Sequence, residues 1–128
     1  MAGAGTNPRI VFVMAGGEEE TAKIARSLVE ERIAACVNIV GPVRSVYRWR
    51  GAIEDENEYL LIIKSRAQLF PKLERRVKEL HSYEVPEVVA VAMSRVSKPY
   101  LDWLVDSTAD HPPRARKLPR RNGAATTS

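Results

Sequence analysis

The chain has 128 residues, 45% hydrophobic and 28% charged, proportions that suit one globular domain with a core of its own. No run reaches the roughly 20 apolar residues of a membrane-spanning helix, and the opening Met1–Pro8 stretch has neither the basic nor the apolar region of a secretory signal. The net charge of +4 is local. All sixteen acidic residues lie at or before Asp110 with fifteen of the twenty Lys and Arg, a balance of −1, whereas Arg114, Arg116, Lys117, Arg120 and Arg121 give the remainder +5. A near-neutral domain lacks the basic face that nucleic acid requires, so neither nucleic acid nor membrane is expected as a partner. One cysteine, Cys36, excludes an internal disulfide and suits a reducing compartment, the cytoplasm.

Arg9–Ala15 is an apolar, β-branched run closed by Gly16-Gly17, which predicts a buried strand. Glu18, Glu19 and Glu20 favour a helix N-terminus, and Ala22, Ala25, Leu28, Val29 and Ile33 keep one helix face apolar, so a helix is predicted over 18–33. Residues 35–49 read as a second strand broken at Gly41-Pro42, where a bulge or kink is expected because proline cannot donate to a ladder. Arg50-Gly51 marks a hairpin turn, and the return strand passes through the acidic stretch 54–58 into Tyr59–Lys64. A second helix is predicted over 67–80, a loop over 81–86, a fourth strand over 87–93 and a short helix after Ser97, a candidate cap.

The predicted order is β-α-β-β-α-β with a short C-terminal helix, an α+β, ferredoxin-like sandwich built on an antiparallel sheet. Three divisions are expected: a flexible N-terminus over 1–8, the domain over 9–107, and a basic tail over 108–128 too poor in apolar residues to fold. Strands 10–15, 59–63 and 88–93 are apolar on both faces, yet only two long helices exist to cover one of them. The second face therefore calls for another copy of the sheet.

Motifs of catalysis are scarce: the sequence has no phosphate loop, no nucleophile elbow and no paired-cysteine metal motif. Gly16-Gly17 reads as a turn, since the three glutamates after it repel anions. Cys36 is either a soft ligand for Cu(I) or Zn or a small buried hydrophobe. His81, at a helix end beside Tyr83, Glu84 and Glu87, is either a ligand or a partner of its helix's last carbonyls. Lys64, flanked by Ile62 and Ile63, needs an exit to solvent or a partner such as Glu87. Tyr47, Trp49 and Tyr83 suit the lining of a cleft or an interface. The acidic run 54–58 reads first as a solvated edge that discourages aggregation, and second as a loose attraction for cations.

Several segments together resemble the CutA family of divalent-cation tolerance proteins. They are Ala34-Ala35-Cys36-Val37-Asn38, Tyr47-Arg48-Trp49-Arg50-Gly51, Ile62-Ile63-Lys64-Ser65, His81-Ser82-Tyr83-Glu84-Val85-Pro86-Glu87 and Tyr100-Leu101-Asp102-Trp103-Leu104. The resemblance implies a cytoplasmic homotrimer with the central hairpin pairing across subunits. It also implies a role in the response to copper and other divalent cations, and no established catalysis. Carried over, Cys36, His81 and Met14 become the candidate metal ligands, and Lys64, Tyr83, Glu87 and Trp49 the candidate cleft residues. Met14 stands where some copper-linked members have a cysteine, and Leu80 precedes a lone His81 where such members have paired histidines. Copper or another divalent ion is therefore expected to bind weakly, and no organic cofactor is expected. The alternative is a small-ligand sensor or interaction scaffold resembling the nitrogen-signalling PII trimers.

Overall fold

The computed structural model describes residues 6–110. The basic tail from residue 111, with His111, lies outside the described residues, as do residues 1–5. The elements are β1 (Pro8–Ala15), α1 (Glu18–Glu30), β2 (Cys36–Trp49), β3 (Ala52–Arg66), α2 (Phe70–Leu80), β4 (Val88–Ala92) and α3 (Lys98–Ser107). The sheet order is β2-β3-β1-β4 with every neighbour antiparallel, the ferredoxin-like arrangement that the element order implies. Among the described residues no helix is long and apolar enough to cross a membrane.

Alternation along the strands divides the sheet into two faces. Val11, Val13 and Ala15 of β1 and Leu61, Ile63 and Ser65 of β3 point toward α1 and α2, and all are buried. They meet Ile24 and Leu28 of α1 and Leu73 and Val77 of α2, all four with no exposed surface. The predicted end of α1 at Ile33 is three residues long. Arg32 adopts φ 61, and the amides of Arg32 and Ile33 return to the carbonyls of Val29 and Leu28, closing the helix in a Schellman turn. Ile33 thereby folds back beside Leu28 in the core, so its apolar spacing was real but its helical backbone was not.

The predicted second helix begins with a separate 3-10 turn over Ala67–Leu69, because Pro71 fits only the first turn of α2. Ser97 occupies the N-cap of α3 but makes no side-chain capping bond. Thr108, assigned to the tail by composition, is 1% exposed. Its hydroxyl donates to the Leu104 carbonyl and accepts from Arg66 Nε, while Arg66 also holds the Thr108 carbonyl. One threonine at a helix end carries no compositional signal of such a lock.

The break at Gly41-Pro42 controls the site. The register steps from Val40↔Leu60 to Val43↔Glu58, so three residues of β2 advance against two of β3. Facing parity flips there: Cys36, Asn38 and Val40 share a face with Val43, Ser45, Tyr47 and Trp49. Gly41 faces the ring of Tyr59 so closely that any Cβ would enter it. The Arg50-Gly51 turn closes the hairpin with both residues at positive φ, 52 and 83, the two-residue geometry that matches strand twist.

The face away from the helices carries Ile10, Phe12 and Met14 of β1, Leu60 and Ile62 of β3, and Val89 and Val91 of β4 in adjoining rows. Val89 and Val91 remain 48% and 43% exposed, and no helix among the described residues covers them. The expectation that the sheet is apolar on both faces and half-covered therefore holds for the subunit.

Candidate functional site

Past the end of β1 the β2–β3 hairpin continues alone. Its parity-flipped face presents Tyr47 and Trp49 beside Glu54, Glu56 and Glu58, set at alternate positions of β3 and therefore on one side. The loop of residues 81–87 rises opposite. Between them lies an open cleft of about 750 Å³. Its lining joins Met14, Tyr83, Glu84, Val85 and Glu87 to the hairpin residues and contains no Lys or Arg.

The carboxylates are organised by phenols. The Tyr47 hydroxyl donates to Glu56 Oε1 at 2.7 Å, and the Tyr83 hydroxyl donates to Glu58 Oε2 at 2.7 Å. The Glu56 bond, with Glu54 and Glu58 nearby, pushes the Tyr47 pKa up to about 12. Burial first, and the Glu58 bond second, raise that of Tyr83 further. Both phenols are therefore firm donors. Glu58 is only 5% exposed. Gly16 makes room for the Tyr83 ring, since a Cβ there would lie 2.9 Å from the hydroxyl. At the rim, Arg50 donates to Glu84 at 2.6 Å and its guanidinium stands 5.2 Å from the centre of the Trp49 ring.

Four of the seven residues carried over from the family resemblance meet here, Met14, Trp49, Tyr83 and Glu87, together with Tyr47, which its aromatic type had marked for a cleft. Lys64 does not. It lies opposite Cys36 and Ile10 at the far end of the sheet, and its Nζ donates to Asn38 Oδ1. Asn38, not the expected Glu87, is its partner, because Glu87 precedes β4 at the cleft end, about 13 Å of strand away. Cys36 is partly exposed, with Sγ 3.7 Å from Asn38 Oδ1.

His81 lies under the cleft floor with its side chain fully buried. β4 stops at Val88 opposite Val13, so Met14 has no strand partner on that side, and its carbonyl accepts from His81 Nε2 at 2.6 Å. His81 Nδ1 accepts the Tyr83 amide at 3.0 Å, which fixes the tautomer with the proton on Nε2. Glu20 accepts the Ser82 amide and approaches Nδ1 to 3.3 Å. Both ring nitrogens are thus taken by backbone groups. Cys36, His81 and Met14 do not converge within the subunit: Cys36 and Met14 are separated by two strands and four residues of register, on the order of 16 Å. Among the described residues no group of three or more His, Cys, Asp or Glu is arranged to hold a metal ion.

The acidic strip is what sequence reading undervalued. Its signal was the alternation Glu54, Glu56, Glu58, which places three carboxylates on one face of a strand rather than around a solvated edge.

The family model of the CutA1 divalent ion tolerance protein matches residues 9–107. The chain belongs to that family. A divalent-cation tolerance protein CutA of Thermus thermophilus is 48% identical over 99 residues, covering 77% of this chain and 96% of that one. Human protein CutA is 42% identical over 93 residues, 73% of this chain and 52% of its own. The chain thus spans about half the length of the plant and mammalian relatives it matches. Among solved structures, the Thermus thermophilus Cut A1 protein superposes with a TM-score of 0.78 at 46% identity, covering 80% of this chain and 99% of that one. The CutA protein of Archaeoglobus fulgidus, described as periplasmic, gives 0.78 at 35% identity over 80% and 99% of the two chains.

Proposed function

We propose that the protein takes part in the response to divalent cations as a homotrimer, and that copper or another divalent ion binds weakly and exchangeably in the acidic cleft. The observation that carries this reading is the lining of Glu54, Glu56, Glu58, Glu84 and Glu87 without a basic residue. Such a concentration of carboxylates raises the local concentration of cations. Tight chelation needs donors converging within roughly 2.0–2.6 Å of one point, which the described residues do not offer. Membership of a tolerance family and the uncovered apolar face of the sheet support the cation role and the assembly respectively. The unpaired Cys36 supports a reducing compartment, the cytoplasm. The role is a non-enzymatic one: the cleft's phenols have raised pKa values, the reverse of an activated nucleophile.

The second reading, a small-ligand sensor, retains Tyr83, Trp49 and Glu87 but loses Lys64 from the subunit's cleft, so among the described residues its lining offers an anionic metabolite no Lys or Arg. Calorimetric titration of the full chain with Cu²⁺ and Zn²⁺ tests the proposal. Affinity should fall in a Glu54→Gln, Glu56→Gln double variant and persist in Cys36→Ser. Loss in Cys36→Ser with retention in the glutamine variant overturns it. Light scattering should give the mass of three subunits; a monomer mass removes the trimer.

A further inference from the structure

We propose that Arg50 and Glu84 form a clasp across the mouth of the cleft, an autoinhibitory contact that a cation must break to enter. The inference rests on the reading of the cleft as a cation site and adds its regulation.

One wall of the cleft is a strap with a firm end and a loose one. The firm end is Tyr83: its amide donates to His81 Nδ1 at 3.0 Å, its hydroxyl donates to Glu58 at 2.7 Å, and its ring lies against Gly16. Beyond it Glu84, Val85 and Glu87 line the cleft, and among the described residues no backbone hydrogen bond holds residues 84–86. Val85 is 67% exposed, so little apolar burial anchors this stretch. Segments with few buried contacts and few backbone bonds open most readily. What ties the loose end to the hairpin tip is the ion pair of Glu84 with Arg50, 2.6 Å long.

Arg50 is an unusual choice for its position. With φ 52 it is the first residue of a two-residue turn in which both residues have positive φ. Such a place favours Asn, Asp or Gly, because a larger side chain's Cβ crowds the backbone there. Residues other than glycine held in that region concentrate at clamps and switches. Here the side chain gives the reason: its guanidinium stands 5.2 Å from the centre of the Trp49 ring and donates to Glu84. Trp49 and Glu84 both line the cleft. Arg50 therefore already holds an aromatic ring and a carboxylate at the rim, the two kinds of group that attract a cation. An entering cation competes with it. The contact is also weak enough to yield. Both side chains are exposed, 68% and 70%, and an exposed pair holds its segment by a factor of only a few, less in salt. A buried pair would lock the cleft; an exposed one gates it.

The test is limited digestion of the full chain with a glutamate-specific endoprotease, following cleavage after Glu84 by mass spectrometry, and titration of the same samples with Cu²⁺. Arg50→Asn removes the guanidinium, while asparagine suits the positive φ of the turn and preserves the fold, as circular dichroism will report. Arg48→Asn removes the same charge from the hairpin face turned away from Tyr47 and Trp49. Arg50→Asn should be cut after Glu84 about two- to fivefold faster than wild type, the factor by which an exposed ion pair holds a closed state. It should also bind Cu²⁺ tighter by a similar factor. Arg48→Asn should match wild type in both. Equal cleavage of wild type and Arg50→Asn overturns the clasp, and equal gains in both variants assign the effect to charge alone and overturn it too. Cu²⁺ binding to wild type without a gain in Arg50→Asn removes the autoinhibition and leaves the cation cleft standing. Absence of Cu²⁺ binding in all three removes the cation reading and the regulation with it.

Discussion

Replacing His81 with alanine separates a structural histidine from a metal ligand. In the native subunit the ring is fully buried, donates to the Met14 carbonyl and accepts the Tyr83 amide. Its removal strands both backbone groups. The Met14 carbonyl and the Tyr83 amide, each left without its partner, should together cost about 2–3 kcal/mol, and the emptied ring volume adds about 1 kcal/mol more. The sum, about 3–4 kcal/mol, should lower the urea midpoint by about 1.5–2 M for a slope of roughly 2 kcal/mol/M. Wild type and variant are compared at equal subunit concentration, because assembly couples to folding. His81→Gln, whose amide reaches the Met14 carbonyl but leaves the Tyr83 amide open, should lose about half as much. Copper titration of the same samples should show no change in affinity. A variant of native stability with weakened copper binding would refute the reasoning, because it would mean that an imidazole nitrogen was free for the ion.

Three other outcomes follow from the geometry. Ile62→Asp, opposite Phe12 and Asn38 on the uncovered face, buries an unpaired charge in any sheet-to-sheet interface, and size-exclusion light scattering should show dissociation to smaller species; an unchanged mass would mean that the assembly uses another surface. Gly41→Ala drives a Cβ into the Tyr59 ring and should destabilise by about 1–3 kcal/mol in denaturant melts, with partial recovery when Tyr59→Leu is added. Tyr47 and Tyr83 have pKa values raised from 10.0, so their contribution to stability is complete below pH 10 and is lost as pH climbs through about 12 and beyond. Near-ultraviolet titration should show a late-ionising component that Tyr47→Phe diminishes; a wild-type curve without one would discount the carboxylate partners.

Much of this architecture was legible before the structure because it is written in local periodicity. The apolar rhythm of α1, the break at Gly41-Pro42, the turn at Arg50-Gly51 and the double-sided strands each depend on neighbours a few residues apart. Thr108 escaped notice because its burial depends on Arg66, 42 residues away. The site was legible in part. Aromatic residues and His81 stood out by type, but their roles depend on what faces them across the fold.

The sequence by itself determined the order of elements, the family pattern, and the mismatch between apolar strand faces and available helices. Register and burial belonged to the tertiary structure. The bulge at Gly41-Pro42 turned Tyr47 and Trp49 to the same side as Glu54, Glu56 and Glu58. The end of β4 at Val88 left the Met14 carbonyl for a histidine 67 residues away. Tyr83 reached back 25 residues to bury Glu58. Side-chain chemistry is fixed by residue type, but whether an imidazole is a ligand or a brace, and whether a carboxylate is a solvated edge or a cation's partner, depends on which groups the fold leaves unpaired.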